Sequence, residues 1–321
     1  MYSQIYLLIR SGTVVDPLSD ILSLLKPHSY AAAGFNLGGA WSIQFPAHDG
    51  FKCYAIVSGQ GWIAVDGQTP EFGSAGDCFL LPQGLPFRVA SDLGLEPTPA
   101  ESFYSGTPDG GINVYQGGGD MSGLVANFML NGNHADMLLT MLPPIVHIKQ
   151  EADKATLRWS IDQMMAELRA PQPGRPLILQ QLATLLLVKA LRLHMSDGAK
   201  GRVGWLFALA DPKMAAAIGA MHSDPAQRWT LEWLAEIANM SRTSFSVKFK
   251  ETVGISTMQY LTRWRMMLAG DQLLNTDESV SKISSGLGYE SETAFSTAFR
   301  KTLGCSPRQY RRGYFEDSPL P

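Results

Sequence analysis

Ser241–Tyr260 reads SRTSFSVKFKETVGISTMQY and Ser291–Tyr310 reads SETAFSTAFRKTLGCSPRQY, with ten of twenty positions identical at a fixed offset of fifty residues. The repeated positions include the pairs Phe245/Phe295 and Phe249/Phe299, the glycines Gly254/Gly304 and the closing Gln259-Tyr260/Gln309-Tyr310. Two phenylalanines four residues apart fall on one face of a helix. Each copy therefore predicts a helix with one buried stripe and a polar outer face.

A shorter amphipathic segment precedes each copy: TLEWLAEIANMS at 230–241 and SVSKISSGLGYES at 279–291. Thr230 and Ser279 are cap-type residues, as are Ser241 and Ser291 at the start of the repeated helices, so each unit reads helix, turn, helix. A helix-turn-helix lays its second helix in the DNA major groove with the N-terminal half toward the base edges. The residues off the phenylalanine stripe are then the base readers: Arg242, Thr243, Ser246 and Val247 in the first copy, Glu292, Thr293, Ser296 and Thr297 in the second. Lys248, Lys250, Arg263, Arg300, Lys301 and Arg308 are the candidates for neutralising phosphates. Between the copies, STMQYLTRWRMMLAGDQLLN predicts one continuous helix of about five turns. Such a spacer could hold two reading heads about 34 Å, one duplex turn, apart. Two plainer readings use the same pattern, a helical solenoid and an ordinary bundle; solenoids need at least three stacked units, and two are present.

The charge distribution agrees with a polyanion partner for this part alone. Residues 1–201 hold 12 Lys and Arg against 17 Asp and Glu, a balance of −5, whereas residues 202–315 hold 14 against 10, a balance of +4. A hydrophobic content of 45% with 17% charged residues excludes a disordered chain. Cys53, Cys78 and Cys305 are too few for a disulfide framework or a zinc cluster, and the opening MYSQIYLLIR lacks the parts of a secretory signal. The greasiest stretch, LILQQLATLLLVKAL at 177–191, carries two glutamines and a lysine and falls short of the roughly 20 residues of a membrane span. The expectation is a cytoplasmic protein without a membrane segment, this stretch forming a buried or dimerising helix.

The N-terminal half has another texture. Asp16-Pro17 opens a short helix, DPLSDILSLL, with Asp16 as N-cap and Pro17 at the first helical position. From about 41 to 130, WSIQF, FKCYAIV, GWIAVDG, DCFLLP, FRVAS, INVYQ and LVANFML are short runs parted by Gly and Pro, which predict an all-β barrel or sandwich. Helical periodicity is expected from about 134, with two helices broken by PQPGRP, and SDGAKGRVG at 196–204 is the expected interdomain linker.

The residues 205–314 resemble the DNA-binding domain of AraC-type transcription regulators over nearly its whole length, in motif order, spacing and the Gly-containing turns. The resemblance implies that Gly288-Tyr289 form the second turn and that Pro307 starts a closing helix ending near Arg312. It also marks a departure: where the family often carries Arg in the second half of each recognition helix, this chain has Val247 and Thr297. Arg is the usual bidentate reader of guanine, so base preference here leans on Arg242, thymine methyl contacts and DNA shape.

Gly76 to Pro86, GDCFLLPQGLP, is similar to the second cupin motif, and the stretch from DPLSDIL through LPPIVHI resembles the sensor domain that precedes this DNA-binding domain in many regulators. The cupin metal histidine falls on Phe87 and the acidic ligand on Lys52. Of the two first-motif histidine positions, one is Pro46 and only His48 is a fitting residue, too few ligands for a catalytic metal. No cofactor is expected. A barrel without metal can still hold a small molecule, with Trp41, Tyr54, Trp62 and Phe87 as candidate liners, although core packing is the simpler explanation for any single one of them. Cys53 and Cys78 sit in the two motif strands, where buried apolar packing competes with a redox role.

The reading is an α+β multidomain chain: a cupin-like β-barrel sensor at 1–130, a helical dimerisation and linker segment at 131–200, and an all-α double helix-turn-helix DNA-binding domain at 201–321. Its expected partners are double-stranded DNA, an effector of unknown identity, RNA polymerase and a second copy in a homodimer. Its expected function is a one-component, ligand-responsive regulator, an activator rather than an enzyme. The alternative is a metal-dependent cupin enzyme carrying a regulatory DNA-binding appendage.

Overall fold

Aromatic and β-branched residues alternating across Gly- and Pro-bounded runs favour a pleated, half-buried surface over a helix, and the N-terminal half accordingly folds as two sheets. In the computed structural model the described residues are 16–25, 28–104, 111–129, 142–149, 151–170, 172–196 and 204–313. They fall into two compact units, one built from the described residues within 27–130 and 142–198, the other from those within 1–26 and 199–321.

In the first unit, β1 (His28–Leu37), β2 (Ser42–Phe45), β3 (Phe51–Ser58), β4 (Gln60–Val65), β5 (Glu71–Ser74), β6 (Cys78–Leu81), β7 (Phe87–Ala90), β8 (Thr98–Pro99), β9 (Ile112–Tyr115), β10 (Met121–Met129) and β11 (Val146–Ile148) make two sheets. One has the order β11-β6-β3-β10-β1-β9, the other β5-β4-β7-β2-β8. The core between them is aromatic and aliphatic, with Trp41, Ile43, Phe45, Tyr54, Phe79 and Phe87 among its buried members. Strand β3 alternates between two apolar environments: Tyr54 and Ile56 enter that core, whereas Cys53 and Ala55, both fully buried, belong to the opposite face. Two long helices, Glu151–Arg169 and Arg175–Ser196, pack on each other, and both touch β1.

Lys154 of the first long helix places Nζ 2.9 Å from Asp77 Oδ1, just before β6. His147 of β11 sits 3.0 Å from the other oxygen of Asp77 and 3.2 Å from Glu71. Burial pushes the Asp77 carboxyl up, but the Ser74 N–H, Lys154 and His147 together hold it below its usual value. The second long helix buries Leu182, Ala183, Leu186, Leu187 and Ala190, while Leu177, Ile178 and Leu185 stay exposed. By length and composition alone it could cross a membrane, yet its apolar content has a nearer explanation in this packing. Strand β11 is a departure from the helical periodicity expected from about 134, since residues 146–148 pair with β6. The residues 130–141 and most of the expected linker, 197–203, lie outside the described ones.

In the second unit most of the repeated residues have a visible structural role. The repeated helices are Arg242–Val253 and Glu292–Leu303, capped by Ser241 and Ser291, which accept from the backbone N–H of Ser244 and Ala294. Phe245, Phe249, Phe295 and Phe299 are fully buried. The ring pairs nearly superpose in geometry, 5.6 Å for Phe245–Phe249 and 5.7 Å for Phe295–Phe299. Gly254 and Gly304 close the two helices at φ 90 and 81, a left-handed conformation that glycine adopts without penalty. Gln259 and Gln309 complete capping boxes with Ser256 and Ser306, each accepting the serine N–H at 3.0 Å. Tyr260 and Tyr310 then meet Phe249 and Phe299 edge-on at 5.9 and 5.4 Å. The spacer is one helix, Thr257–Asn275, and Pro307–Arg311 is the closing helix. Cys305 is buried in this core, at the position that corresponds to Ile255 in the first copy.

The helix Pro17–Leu25 also belongs to this unit, with Asp16 accepting from the Leu18 N–H at 3.2 Å. Its buried stripe Leu18, Ile21 and Leu24 packs on Pro212–Ser223 and on the spacer helix. There His222 stacks flat on Trp264 at 3.9 Å, contacts Tyr260 Oη at 2.8 Å and has Asp20 3.4 Å away.

Candidate nucleic-acid interface and ligand cavity

The first helix of each pair is Leu231–Ile237 and Val280–Gly286, with Thr230 and Ser279 accepting from backbone N–H groups as N-caps. The turns that follow use different residues for the same left-handed bend. Asn239 takes φ 50 in the first and Gly288 φ 78 in the second. Only glycine fits at 288, because a Cβ there would run into the Ala226 carbonyl.

On the first repeated helix Arg242, Thr243, Val247 and Lys250 are exposed, and Ser246 and Lys248 half-buried; on the second, Thr293, Thr297, Arg300 and Lys301 are exposed, and Glu292 and Ser296 half-buried. Glu292, Thr293, Ser296, Thr297, Arg300 and Lys301 line one shallow, open depression. Several of these charges are engaged within the protein. Arg242 Nε lies 2.9 Å from Glu232, Arg308 lies 3.9 Å from Glu292, and Lys248 forms an ion pair with Asp211. Asp211 is itself the N-cap of Pro212–Ser223, so Lys248 is drawn toward the scaffold. Arg263 is half-buried on the spacer.

The residue that sequence reasoning missed is Arg265, two positions beyond Arg263 on the same helix. Its guanidinium donates to the carbonyls of Pro225 at 2.6 Å and Gln227 at 2.9 Å and lies over the Tyr289 ring at 5.7 Å. Pro225 and Gln227 lead into the first helix pair and Tyr289 lies in the turn of the second. Arg228 and Glu290 add an exposed ion pair at 2.8 Å across the same seam. Arg265 therefore fixes one head against the other. The signal in sequence was slight, a lone arginine among apolar residues of a spacer helix.

In the first unit Trp41, Tyr54 and Trp62 line a small apolar cavity between the sheets, about 50 Å³ in volume. Phe87 lies off its wall, stacked on Phe45 at 4.7 Å and edge-on to Tyr54 at 5.6 Å. The residues at the cupin ligand positions do not fit a metal ion. The Lys52 ammonium sits 5.9 Å from the centroids of both Phe45 and Phe87, a positive charge where a carboxylate ligand would be needed. His48, edge-on to Phe87 at 5.9 Å, has its pKa lowered by burial and by Lys52. Cys53 and Cys78 bring their sulfurs within 3.4 Å as free thiols, and the neighbouring thiol and burial raise the pKa of Cys78 well above its usual value.

Two capped, outward-facing second helices on a duplicated scaffold, joined to a two-sheet cupin unit, define a helix-turn-helix DNA-binding protein. Comparison with known proteins agrees. Residues 16–196 match the Cupin family and residues 234–313 the helix-turn-helix domain family. An AraC-like transcription regulator of Streptomyces lividans is 36% identical over 280 residues, 87% of this chain and 92% of that protein. The HTH-type transcriptional regulator AlkR of Acinetobacter baylyi is 29% identical over 291 residues, 87% and 93% of the two chains. Among solved structures, the DNA-binding domain of AdpA in complex with a target DNA is 33% identical, covering 32% of this chain and 93% of that one, with a TM-score of 0.31. The chain belongs to the family of AraC-like transcription regulators.

Proposed function

We propose that this regulator reads an asymmetric DNA half-site with two non-equivalent heads, under the control of a small molecule held in the cupin unit. The observation that carries the reading is the contrast between the copies. The buried phenylalanines and tyrosine, the cap serines, the closing glycine and the capping-box glutamine repeat, whereas three positions off the phenylalanine stripe change from Arg242, Val247 and Lys248 to Glu292, Thr297 and Ala298. Arg242, Thr243, Ser246 and Val247 face base edges from the first head, and Glu292, Thr293, Ser296 and Thr297 from the second. Lys250, Arg300, Lys301, Arg308 and Arg263 neutralise phosphates, with Lys248 joining them if its pair with Asp211 opens.

The same reading assigns residues 1–130 to sensing, 131–200 to linking and dimerisation, and 201–321 to DNA. Exposed Leu177, Ile178 and Leu185, at 63%, 41% and 38%, support a homodimer through the second long helix. Ligand in the cavity shifts the balance between conformations that present the heads to DNA and to RNA polymerase differently, so the protein acts as an activator in the cytoplasm and not as an enzyme. Lys52 and Phe87 in place of metal ligands support the last point. The test is DNA affinity against salt: the expected plot of log K against log salt is linear and steep, and binding that ignores salt between about 50 and 200 mM overturns the phosphate assignments.

A further inference from the structure

Val247 is 52% exposed in the middle of the first recognition helix, on the face opposite Phe245 and Phe249. Among the described residues it is the single large apolar side chain exposed on either recognition helix. One exposed apolar residue is ordinary by itself, but the second head repeats the feature at the matching position. Thr297, fifty residues on, has the shape of valine with a hydroxyl in place of one methyl, and it is exposed too. Its Oγ1 donates to the carbonyl of Thr293 at 2.9 Å. A threonine hydroxyl bonded four residues back has spent its one proton on its own helix. What the two positions share for a partner is therefore a methyl group.

In the major groove thymine alone presents a methyl group, at C5, and apolar side-chain groups read it by contact. Neither Val247 nor Thr297 can make the bidentate contact by which Arg reads guanine or Asn reads adenine. We propose that Val247 and Thr297 each read the C5 methyl of a thymine, one in each head. This rests on the base-reading assignment above and adds to it the base recognised at each position. The two heads then share a thymine and differ around it, since Arg242 in the first gives way to Glu292 in the second. Arg300 and Lys301 border the same depression as Thr297 and are placed to hold the phosphates beside that thymine.

The test starts from a site selected by the full-length protein from a randomised duplex pool. The site is resynthesised with each thymine in turn replaced by deoxyuridine, which removes the C5 methyl and keeps the base pairing, and affinity is measured by fluorescence anisotropy. The expected result is one thymine per head whose replacement weakens binding about two- to fourfold, the upper figure being the worth of one buried methyl group. Val247→Ala is expected to abolish that loss in the first head, and Thr297→Ser to abolish it in the second although serine keeps the hydroxyl. Thr297→Val, which exchanges the hydroxyl for a methyl, is expected to retain it. Deoxyuridine bound as well as thymine throughout either head overturns the proposal, as does discrimination kept by Thr297→Ser and lost by Thr297→Val; the base-reading assignment then still stands on the selected sequence. A pool that yields no preferred sequence overturns both. All three substitutions fall at exposed positions of a helix, where the fold tolerates them, and the deoxyuridine series on the wild type is decisive without them.

Discussion

Arg242, the first residue of the first recognition helix, holds its Nε 2.9 Å from the carboxylate of Glu232 in the preceding helix. Both side chains are largely exposed, so the pair is weak, and an exposed pair of this kind contributes about 0–1 kcal/mol. On the proposed reading, DNA competes with Glu232 for Arg242. Glu232→Gln is therefore expected to strengthen binding to a specific site by up to about fivefold in fluorescence anisotropy, the bound on such a pair. Weaker binding by this variant counts against Arg242 as a DNA-facing residue.

Arg265 links the heads, so its loss acts on geometry as well as stability. Arg265→Ala removes a guanidinium that satisfies the carbonyls of Pro225 and Gln227, at an expected cost of about 1–3 kcal/mol in urea unfolding. Affinity for a complete half-site is expected to fall more than affinity for DNA carrying only one head's sequence. Equal losses on both DNAs would show that Arg265 merely supports the fold.

Much of this was legible in the chain, and for a physical reason. The duplicated helices advertise themselves because most of the invariants act locally, as a cap hydroxyl, a left-handed glycine, a capping-box glutamine or a core aromatic. Local roles leave local signatures. The strands from β2 to β4, with β6, β7, β9 and β10, were legible in the same way. β1 was not, since its AAAG run lacks the β-branched residues that mark a strand, and it is held by pairing with β10 and by the long helices. β8 and β11 are two and three residues long, too short for periodicity to register, and β5, EFGS, carries a single large apolar residue. Arg265 was invisible for a different reason. Its role comes from contacts assembled from distant segments, and nothing in its immediate neighbours marks it.

The matched aromatic pairs make the two heads comparable in stability. Phe249→Ala and Phe299→Ala each empty a fully buried site beside a tyrosine ring, and each is expected to cost about 3–5 kcal/mol. Urea midpoints of the two variants, set against the wild type, check this. A loss below about 1 kcal/mol at either site would show a core able to collapse around the gap.

His222 gives the DNA-binding unit a pH dependence. Burial lowers its pKa below the usual 6.5, and Asp20 only partly offsets that. The folded protein thus takes up this proton less readily than the unfolded chain. The His222 contribution is fully present above pH 6.5 and is lost as the pH falls through and below that value. Asp20→Asn removes the offset and is expected to steepen the fall, whereas His222→Gln is expected to flatten it. Urea midpoints between about pH 5 and 8 measure both, and a wild-type profile flat over that range contradicts the burial of a neutral histidine here.

The central claim is that two heads built alike read different DNA, and selection of bound sequences from a randomised duplex pool tests it most directly. The wild type is compared with Arg242→Ala and Thr297→Ala. The expected wild-type result is two distinct short motifs per half-site about one duplex turn apart, with each variant losing sequence information in one motif only. A single motif, two identical motifs, or variants that weaken both motifs alike would contradict it.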